Sequence, residues 1–165
     1  MKLRMLKPED APLMLEWMHD PEVVRYMQAD FAGKTLEDCK RFIQASAEPG
    51  GEDLHRAIAD EEDVYQGTVS LKHIRDGRAE FAITVRKCAM GKGIAREAMA
   101  AILAFGLEEQ GLNRIYWCVS PENIRAVRFY DKNGYVRVPV PQDISGYSEE
   151  QKARYIWYSV GGQHG

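Results

Sequence analysis

Cysteine is scarce in this 165-residue sequence, which has only three. Cys39, Cys88 and Cys118 are scattered and odd in number, a pattern that predicts free thiols in a reducing compartment rather than a disulfide framework. The four histidines lack the spacing of metal ligands, so no metal site is expected. No apolar run is long enough to span a membrane, and the first ten residues, MKLRMLKPED, are too polar to predict a signal peptide. The expected location is the cytoplasm, away from any membrane.

An excess of basic residues is also lacking. The net charge is −3 and no long basic run occurs, so nucleic acid is not an expected partner. The composition, 45% hydrophobic and 28% charged, is ordinary for a globular protein. We therefore expect a single domain over residues 1–165, with a frayed tail at 160–165.

Periodicity and turn signals predict both strands and helices. Three short helices begin near Pro8, Asp20 and Thr35, and two longer ones cover residues 91–110 and 123–133. The predicted strands are residues 2–7, 55–60, 64–74, 79–86, 114–119, 135–140 and 154–160. This order predicts an α+β fold with a mixed sheet covered by helices.

The stretch AMGKGIAREAM, residues 89–99, places two glycines and a lysine directly before a predicted helix. A helix N-terminus has unpaired N–H groups and a partial positive charge, so it binds anions, and glycine lets a ligand approach the backbone closely. The stretch lacks the G-x-x-x-x-G-K-[ST] pattern of a P-loop, and Arg96 stands where a dinucleotide fingerprint needs its third glycine. From these residues alone, a pyrophosphate site and a plain strand-to-helix turn remain equally open.

Three motifs in order resemble the GNAT superfamily of acetyl-CoA-dependent N-acetyltransferases, and especially its ribosomal-protein, polyamine and amino-sugar branch. They are AEFAI at residues 79–83, GKGIAREA at 91–98, and SPENIRAVRFYDKNGY at 120–135. The resemblance covers residues 54–138. The chain departs from the family's [QR]-x-x-G-x-[GA] loop pattern at Cys88, where Arg86 or Lys87 could supply the missing cation.

The resemblance implies a GNAT-type, mostly antiparallel sheet of six to seven strands, splayed between strands 4 and 5. It also implies a bulge in the strand 81–85. Acetyl-CoA would lie in the splay as co-substrate, with no metal. The cofactor-binding residues implied in this way are Ile83, Thr84, Val85, Gly91, Lys92, Gly93, Ile94, Ala95, Arg96, Asn123 and Tyr130.

The same resemblance implies chemical roles. Tyr130 matches the tyrosine that protonates the leaving thiolate, although its helical face would equally suit a core residue. Asn123 would contact the pantetheine arm and is also a preferred N-cap residue. Glu80 is the candidate general base, with a water relay or a carboxylate from elsewhere as alternatives.

The acceptor is expected to be a small-molecule or peptide amine that enters over the N-terminal helices, and a homodimer is possible. Acidic residues there would attract a cation, but helix starts and exposed faces carry acids in any case. They are Glu16, Asp20, Glu22, Asp30, Glu37, Asp38, Glu48, Glu52 and Asp53. Trp17, Tyr26, Met27 and Phe31 could line the pocket or fill a small core.

Three classes of function stay open at this point. The leading one is an amine N-acetyltransferase, the second is a non-catalytic CoA-binding sensor or partner domain, and the third is a nucleotide-binding module. The failed nucleotide fingerprints disfavour the third.

Overall fold

The computed structural model describes residues 1–27, 29–48 and 50–161. The strands are β1 Lys2–Arg4, β2 Leu54–Ala59, β3 Tyr65–Arg75, β4 Arg78–Val85, β5 Arg114–Val119, β6 Val136–Val138 and β7 Ile156–Gly161. The helices are α1 Ala11–Met18, α2 Pro21–Val24, α3 Leu36–Ser46, α4 Ile94–Ala104, α5 Ile124–Lys132 and α6 Glu149–Arg154.

Within the described residues, the seven strands form one sheet in the order β1-β2-β3-β4-β5-β7-β6. Every neighbouring pair is antiparallel except β4 and β5, which run parallel because α4 connects them as a crossover. The expected fold class, a mostly antiparallel mixed sheet flanked by helices, is therefore confirmed.

The sheet has two differently built faces, because successive strand residues point to opposite sides. On one side, which we call the apolar face, Val69, Leu71, Phe81, Ile115 and Trp117 pack with α4 in the main core. On the other side, α1 and α3 cover the β1–β3 end with a second apolar cluster. Nearer the centre of that side lies what we call the polar face, where buried Thr68, Ser70, Glu80 and Tyr116 are found.

The predicted splay is present at the parallel pair. β4 and β5 pair only from Arg78 opposite Arg114 to Glu80 opposite Tyr116. Beyond that point β4 continues to Val85 and β5 to Val119 without pairing to each other. The strands thus form a V that leaves one edge of residues 81–85 without a strand partner.

The bulge expected in residues 81–85 is absent. β3 and β4 keep one register from Gly67 opposite Val85 to Lys72 opposite Glu80. The register shift lies instead between Lys72 and Arg75, beside the Asp76-Gly77 turn. β4 therefore diverges from β5 while its ladder with β3 stays regular.

Several element boundaries differ from those predicted. β1 ends at Arg4, whose guanidinium binds the buried Asp10 carboxylate at 2.8 and 2.9 Å, and the chain leaves the sheet there. The predicted helix 91–110 is α-helical only to Ala104 and continues as a π-helical turn to Glu109. Of the predicted frayed tail, Val160 and Gly161 belong to β7, and residues 162–165 lie outside the described residues.

Candidate active site

The glycine loop opens α4 with an exposed backbone. Gly91 and Gly93 both have positive φ angles, 79° and 80°, which L side chains rarely adopt, and Gly93 is the N-cap of α4. A Cβ added to either glycine would meet no atom within 4 Å. The space in front of both residues is therefore open to a ligand.

The first turn of α4 supplies unpaired donors to that space. The N–H groups of Ile94, Ala95 and Arg96 lack intrahelical acceptors by their position in the helix, and no side chain caps them. The Lys92 and Arg96 side chains are exposed beside them. The loop therefore has the donors and the charge that suit a pyrophosphate.

Arg86 and Lys87, which were expected to supply the cation that is missing because Cys88 departs from the family pattern, form ion pairs with other residues. Arg86 donates to both carboxylate oxygens of Glu16, at 3.0 and 3.1 Å, and Lys87 forms an ion pair with Glu22. These pairs connect the loop to α1 and α2. Of the cations near the glycines, Lys92 and Arg96 are therefore better placed for phosphate than Arg86 or Lys87.

Tyr130 lies behind the V on the apolar face. Its ring contacts those of Trp117, Tyr135 and Tyr158, at centroid distances of 5.6, 6.4 and 5.1 Å. Burial raises the pKa of the Tyr130 hydroxyl, so the group stays protonated at neutral pH and can donate a proton. Within the described chain, no hydrogen bond engages this hydroxyl.

Asn123 begins the helix that carries Tyr130. Its side-chain oxygen accepts a hydrogen bond from the Ala126 N–H at 3.3 Å, which is the capping role that the residue type predicts. The preceding Ser120 is buried, and its hydroxyl lies 3.4 Å from a Glu122 carboxylate oxygen. The start of α5 is thus fixed next to the end of β5.

Glu80 lies at the root of the V, on the polar face. It is only 5% exposed and stands opposite Tyr116, in the last residue pair before β4 and β5 separate. Its Oε2 accepts a hydrogen bond from the Tyr147 hydroxyl at 2.5 Å, and its Oε1 lies 3.7 Å from His73 Nε2. Because Glu80 and Phe81 are consecutive, the carboxylate and the Tyr130 cluster lie on opposite sides of the sheet at the same opening.

Tyr147, His73 and Tyr116 were not among the predicted site residues. A cleft of about 540 Å³ lies beside His73 and Tyr116. Its lining is mixed in charge, and is formed by Glu52, His73, Arg75, Asp76, Arg78, Tyr116, Asp143 and Ser145. The signal that could have located Tyr147 is the S-x-x-Q capping box of α6, formed by Ser148 and Gln151 directly after it.

The acidic residues of the N-terminal region mostly have structural roles. Asp20 and Asp38 act in the caps of α2 and α3, while Glu37 pairs with Lys40 on the surface of α3. Asp53 accepts a hydrogen bond from the His73 N–H, and Asp30 accepts one from Ala32. They are fixed by local contacts rather than gathered around one site.

Of the four apolar residues predicted to line the acceptor pocket or fill a small core, three lie in a small core. Trp17 is buried, donates to the Tyr65 hydroxyl at 2.8 Å and meets Phe31 edge-on at 5.2 Å. Met27 packs against the same cluster, whereas Tyr26 is exposed. Trp17, Met27 and Phe31 therefore belong to the small core beneath α1 and α3.

Comparison with known proteins identifies the family. Residues 1–136 match the Acetyltransferase (GNAT) domain family. The chain belongs to the GNAT acetyltransferases. It is therefore an acetyl-CoA-dependent N-acetyltransferase, and the resemblance drawn from its three motifs is confirmed.

Curated relatives cover most of this GNAT chain. An uncharacterized N-acetyltransferase, p20, from Bacillus licheniformis is 30% identical over 158 residues, which are 93% of this chain and 86% of that protein. The spermidine N(1)-acetyltransferase of Escherichia coli (strain K12) is 26% identical over 147 residues, 81% of this chain and 72% of that protein.

Solved structures show the same fold. The spermidine N-acetyltransferase from Vibrio cholerae in complex with CoA and spermine superposes with a TM-score of 0.78 at 20% identity, covering 98% of this chain and 95% of that one. A GNAT acetyltransferase from Bacillus anthracis gives a TM-score of 0.74 at 22% identity, covering 98% and 95%. These identities establish a common fold and leave the acceptor to be argued from this chain.

No helix in residues 1–27, 29–48 or 50–161 is long and apolar enough to cross a membrane. Within the same ranges, no three histidine, cysteine, aspartate or glutamate side chains are grouped so that they could hold a metal ion.

Proposed function

We propose that this single-domain GNAT protein transfers the acetyl group of acetyl-CoA to a primary amine, by direct attack within a ternary complex. The observation that carries the proposal is the V between β4 and β5, which has a buried carboxylate, Glu80, on one side and a buried tyrosine, Tyr130, on the other. A gap in a sheet that opens to both faces lets two substrates meet from opposite sides.

The acetyl-CoA side is assigned to the residues that the V leaves open. The backbone groups of Ile83 and Val85 lie on the free edge of β4, with Thr84 between them paired to β3. This free edge suits the amide groups of the pantetheine arm, because unpaired strand groups seek hydrogen bonds. The N–H groups of residues 91–96 suit the pyrophosphate, with Lys92 and Arg96 adding charge. Asn123, next to the end of β5, would contact the arm while it caps α5.

The acceptor must lose a proton before or during attack. An alkyl ammonium has a pKa of about 10.4, so about one molecule in a thousand is nucleophilic at neutral pH. The Glu80 carboxylate would take this proton, directly or through a water molecule. Its burial at the root of the V, where β4 and β5 separate, supports this role.

The leaving group is a thiolate, and Tyr130 would return a proton to its sulfur. The conjugate thiol has a pKa of about 8.5, so the thiolate leaves fairly well without help and the acid contributes modestly. The protonated, otherwise unbonded Tyr130 hydroxyl supports this role.

The acceptor class is a small-molecule or peptide amine. The spermidine acetyltransferase relatives support a small amine, and the cleft of about 540 Å³ beside Tyr116 is large enough for one. Three free thiols support a reducing compartment, and the cytoplasm is the proposed location.

A homodimer is the proposed assembly. One spermidine N-acetyltransferase from Vibrio cholerae has a dodecameric structure, and β6 forms an edge of the present sheet with Val136 65% exposed. Light scattering after size-exclusion chromatography tests this assembly, and a monomer at micromolar concentration would contradict it.

One plate assay tests the proposed function. Thermal unfolding is followed during titration with acetyl-CoA, ATP and NAD, and thiol release is then measured with spermidine, amino sugars, aminoglycosides and N-terminal peptides. Stabilisation by acetyl-CoA alone, with thiol release for one amine class, is expected. Stabilisation without thiol release from any amine would favour a non-catalytic CoA-binding domain instead.

A further inference from the structure

The segment 139–148 crosses the polar face and brings Tyr147 to Glu80. The Tyr147 hydroxyl donates to Glu80 Oε2 at 2.5 Å, across a sequence separation of 67 residues. In the described part of the chain this is the one hydrogen bond made to the Glu80 side chain. A short hydrogen bond to a buried carboxylate is a strong one, because little water competes for it.

The position of Tyr147 is fixed from several directions. Its ring packs edge-on against Trp157 at 5.3 Å and Tyr155 at 6.2 Å. The next residue, Ser148, is the N-cap of α6 in a reciprocal capping box, and the nearby Ile144 is buried in the same cluster. The hydroxyl is therefore held at Glu80 by the fold rather than by the hydrogen bond alone.

Among the charged and titratable groups that surround Glu80 in the described chain, Tyr147 is the one that makes a hydrogen bond to it. His73 is half exposed and its Nε2 lies 3.7 Å from Oε1, and Lys72 stands opposite Glu80 on β3. On β5, burial raises the pKa of Tyr116 and of Cys118 to about 12 each, so both are neutral near pH 7. Burial also raises the pKa of Tyr147, which therefore remains a donor throughout the neutral range.

We propose that Tyr147 is a positioning residue for the acetyl transfer: its hydroxyl holds the Glu80 carboxylate in one orientation, directed at the root of the V. The inference rests on the proposed function, in which Glu80 is the base. In the proton transfer, an N–H bond of the acceptor ammonium breaks and an O–H bond forms on Glu80, while Tyr147 keeps its own proton.

The substitution Tyr147→Phe tests this role through its separate effects on kcat and on KM for the amine. Loss of the donor leaves the Glu80 carboxylate free to turn away from the reacting amine, so the chemical step slows while amine binding is kept. We expect kcat to fall about tenfold and KM for the amine to change less than about twofold. Acetyl-CoA affinity and the thermal unfolding midpoint should stay close to those of the wild type. A wild-type kcat would overturn the proposal.

Two further variants separate this proposal from the one it rests on. Tyr155→Phe is the matched control, because Tyr155 contacts the Tyr147 ring but makes no hydrogen bond to Glu80 in the described chain, so its kcat should be unchanged. Glu80→Gln alone should be nearly inactive, and adding Tyr147→Phe to it should cause no further loss. An additional loss in the double variant would overturn the role of Tyr147. An active Glu80→Gln enzyme would instead overturn Glu80 as the base.

Discussion

The two faces of the same strands differ in what they bury. On the apolar face, Val69 and Leu71 of β3 and Phe81 of β4 pack carbon against carbon under α4. On the polar face, the alternate residues Ser70 and Glu80 are buried as well, yet they carry a hydroxyl and a carboxylate. A period of two along each strand thus separates two chemistries within one sheet.

The difference indicates a division of labour. The apolar face stabilises the sheet and fixes α4 and α5, and with them the glycine loop and Tyr130. On the polar face, each buried group needs a partner to offset its desolvation: Ser70 lies 2.5 Å from His55 Nδ1, and Glu80 accepts from Tyr147. Substitution of an aliphatic core residue on the apolar face should therefore lower stability, and substitution of Glu80 on the polar face should lower the rate of reaction.

The largest effect is expected from Glu80→Gln on the polar face. Removal of the general base should lower kcat/KM for the best amine by about 10³-fold. The folded structure should persist, because the amide oxygen can still accept the hydrogen bond from Tyr147. Steady-state thiol release and acetyl-CoA titration measure the two quantities.

Ser70→Ala is the control on the same face. Ser70 is buried and hydrogen-bonded, but it lies two residues along β3 from Lys72, the residue that pairs with Glu80. Turnover should remain within about threefold of the wild type, since no proton transfer is assigned to it. An equal loss of rate in both variants would mean that the face is sensitive as a whole and that Glu80 has no special role.

On the apolar face, substitution of a core residue should lower the free energy of unfolding rather than the rate. Ile102 is fully buried on α4, and Ile102→Ala should lower the free energy of unfolding by about 3 kcal/mol through lost contacts and a cavity. Urea denaturation measures this value, and kcat of the folded variant at low temperature should be unchanged.

Ala100→Gly is the matched control on α4, because Ala100 is exposed. Only helix propensity changes there, so the loss should be about 1 kcal/mol. If Ile102→Ala were no more costly than this control, the apolar face would not be the main source of stability.

Regular patterns made much of the fold predictable. β5 was predicted with its observed ends, Arg114 and Val119, because a short apolar run between turn signals identifies a buried strand. Thr35 was predicted as a cap and makes a reciprocal capping box with Asp38. The end of α4 was not predictable in this way. A Cβ on Gly106 would lie 2.8 Å from Ile115 and 2.9 Å from Leu71, a close tertiary contact with no helical signature in sequence.

The candidate site divides similarly. Gly91, Gly93 and Asn123 act locally at helix starts, and such residues can be recognised from the helical pattern that follows them in the sequence. The contact of Tyr147 with Glu80 depends on a loop with no periodicity that folds back over the sheet from far along the chain. Residues that meet only through tertiary structure are beyond single-sequence reasoning.

A smaller effect is expected where the two faces meet at the V. Tyr130→Phe should lower kcat by about 30-fold, because a thiolate leaves partly without protonation, and acetyl-CoA affinity should change little. Tyr135→Phe is the control, since its ring lies in the same aromatic cluster, 6.4 Å from that of Tyr130. The rate of thiol release is measured in the pre-steady state. If both variants released thiol at the wild-type rate, Tyr130 would not be the general acid.

The smallest effect is expected from Gly93→Val, outside both faces at the start of α4. A branched side chain there would project into the open space that suits the pyrophosphate, so Kd for acetyl-CoA should rise about tenfold. Gly111→Val is matched to it, because Gly111 also has a positive φ, 68°, and open space, but lies beyond the other end of the helical segment. Both variants carry the same kind of backbone strain, so a difference between their Kd values, measured by calorimetry, isolates the ligand contact. Equal Kd values would show that the glycine serves the turn alone, and the anion site would then have to lie elsewhere than at this helix start.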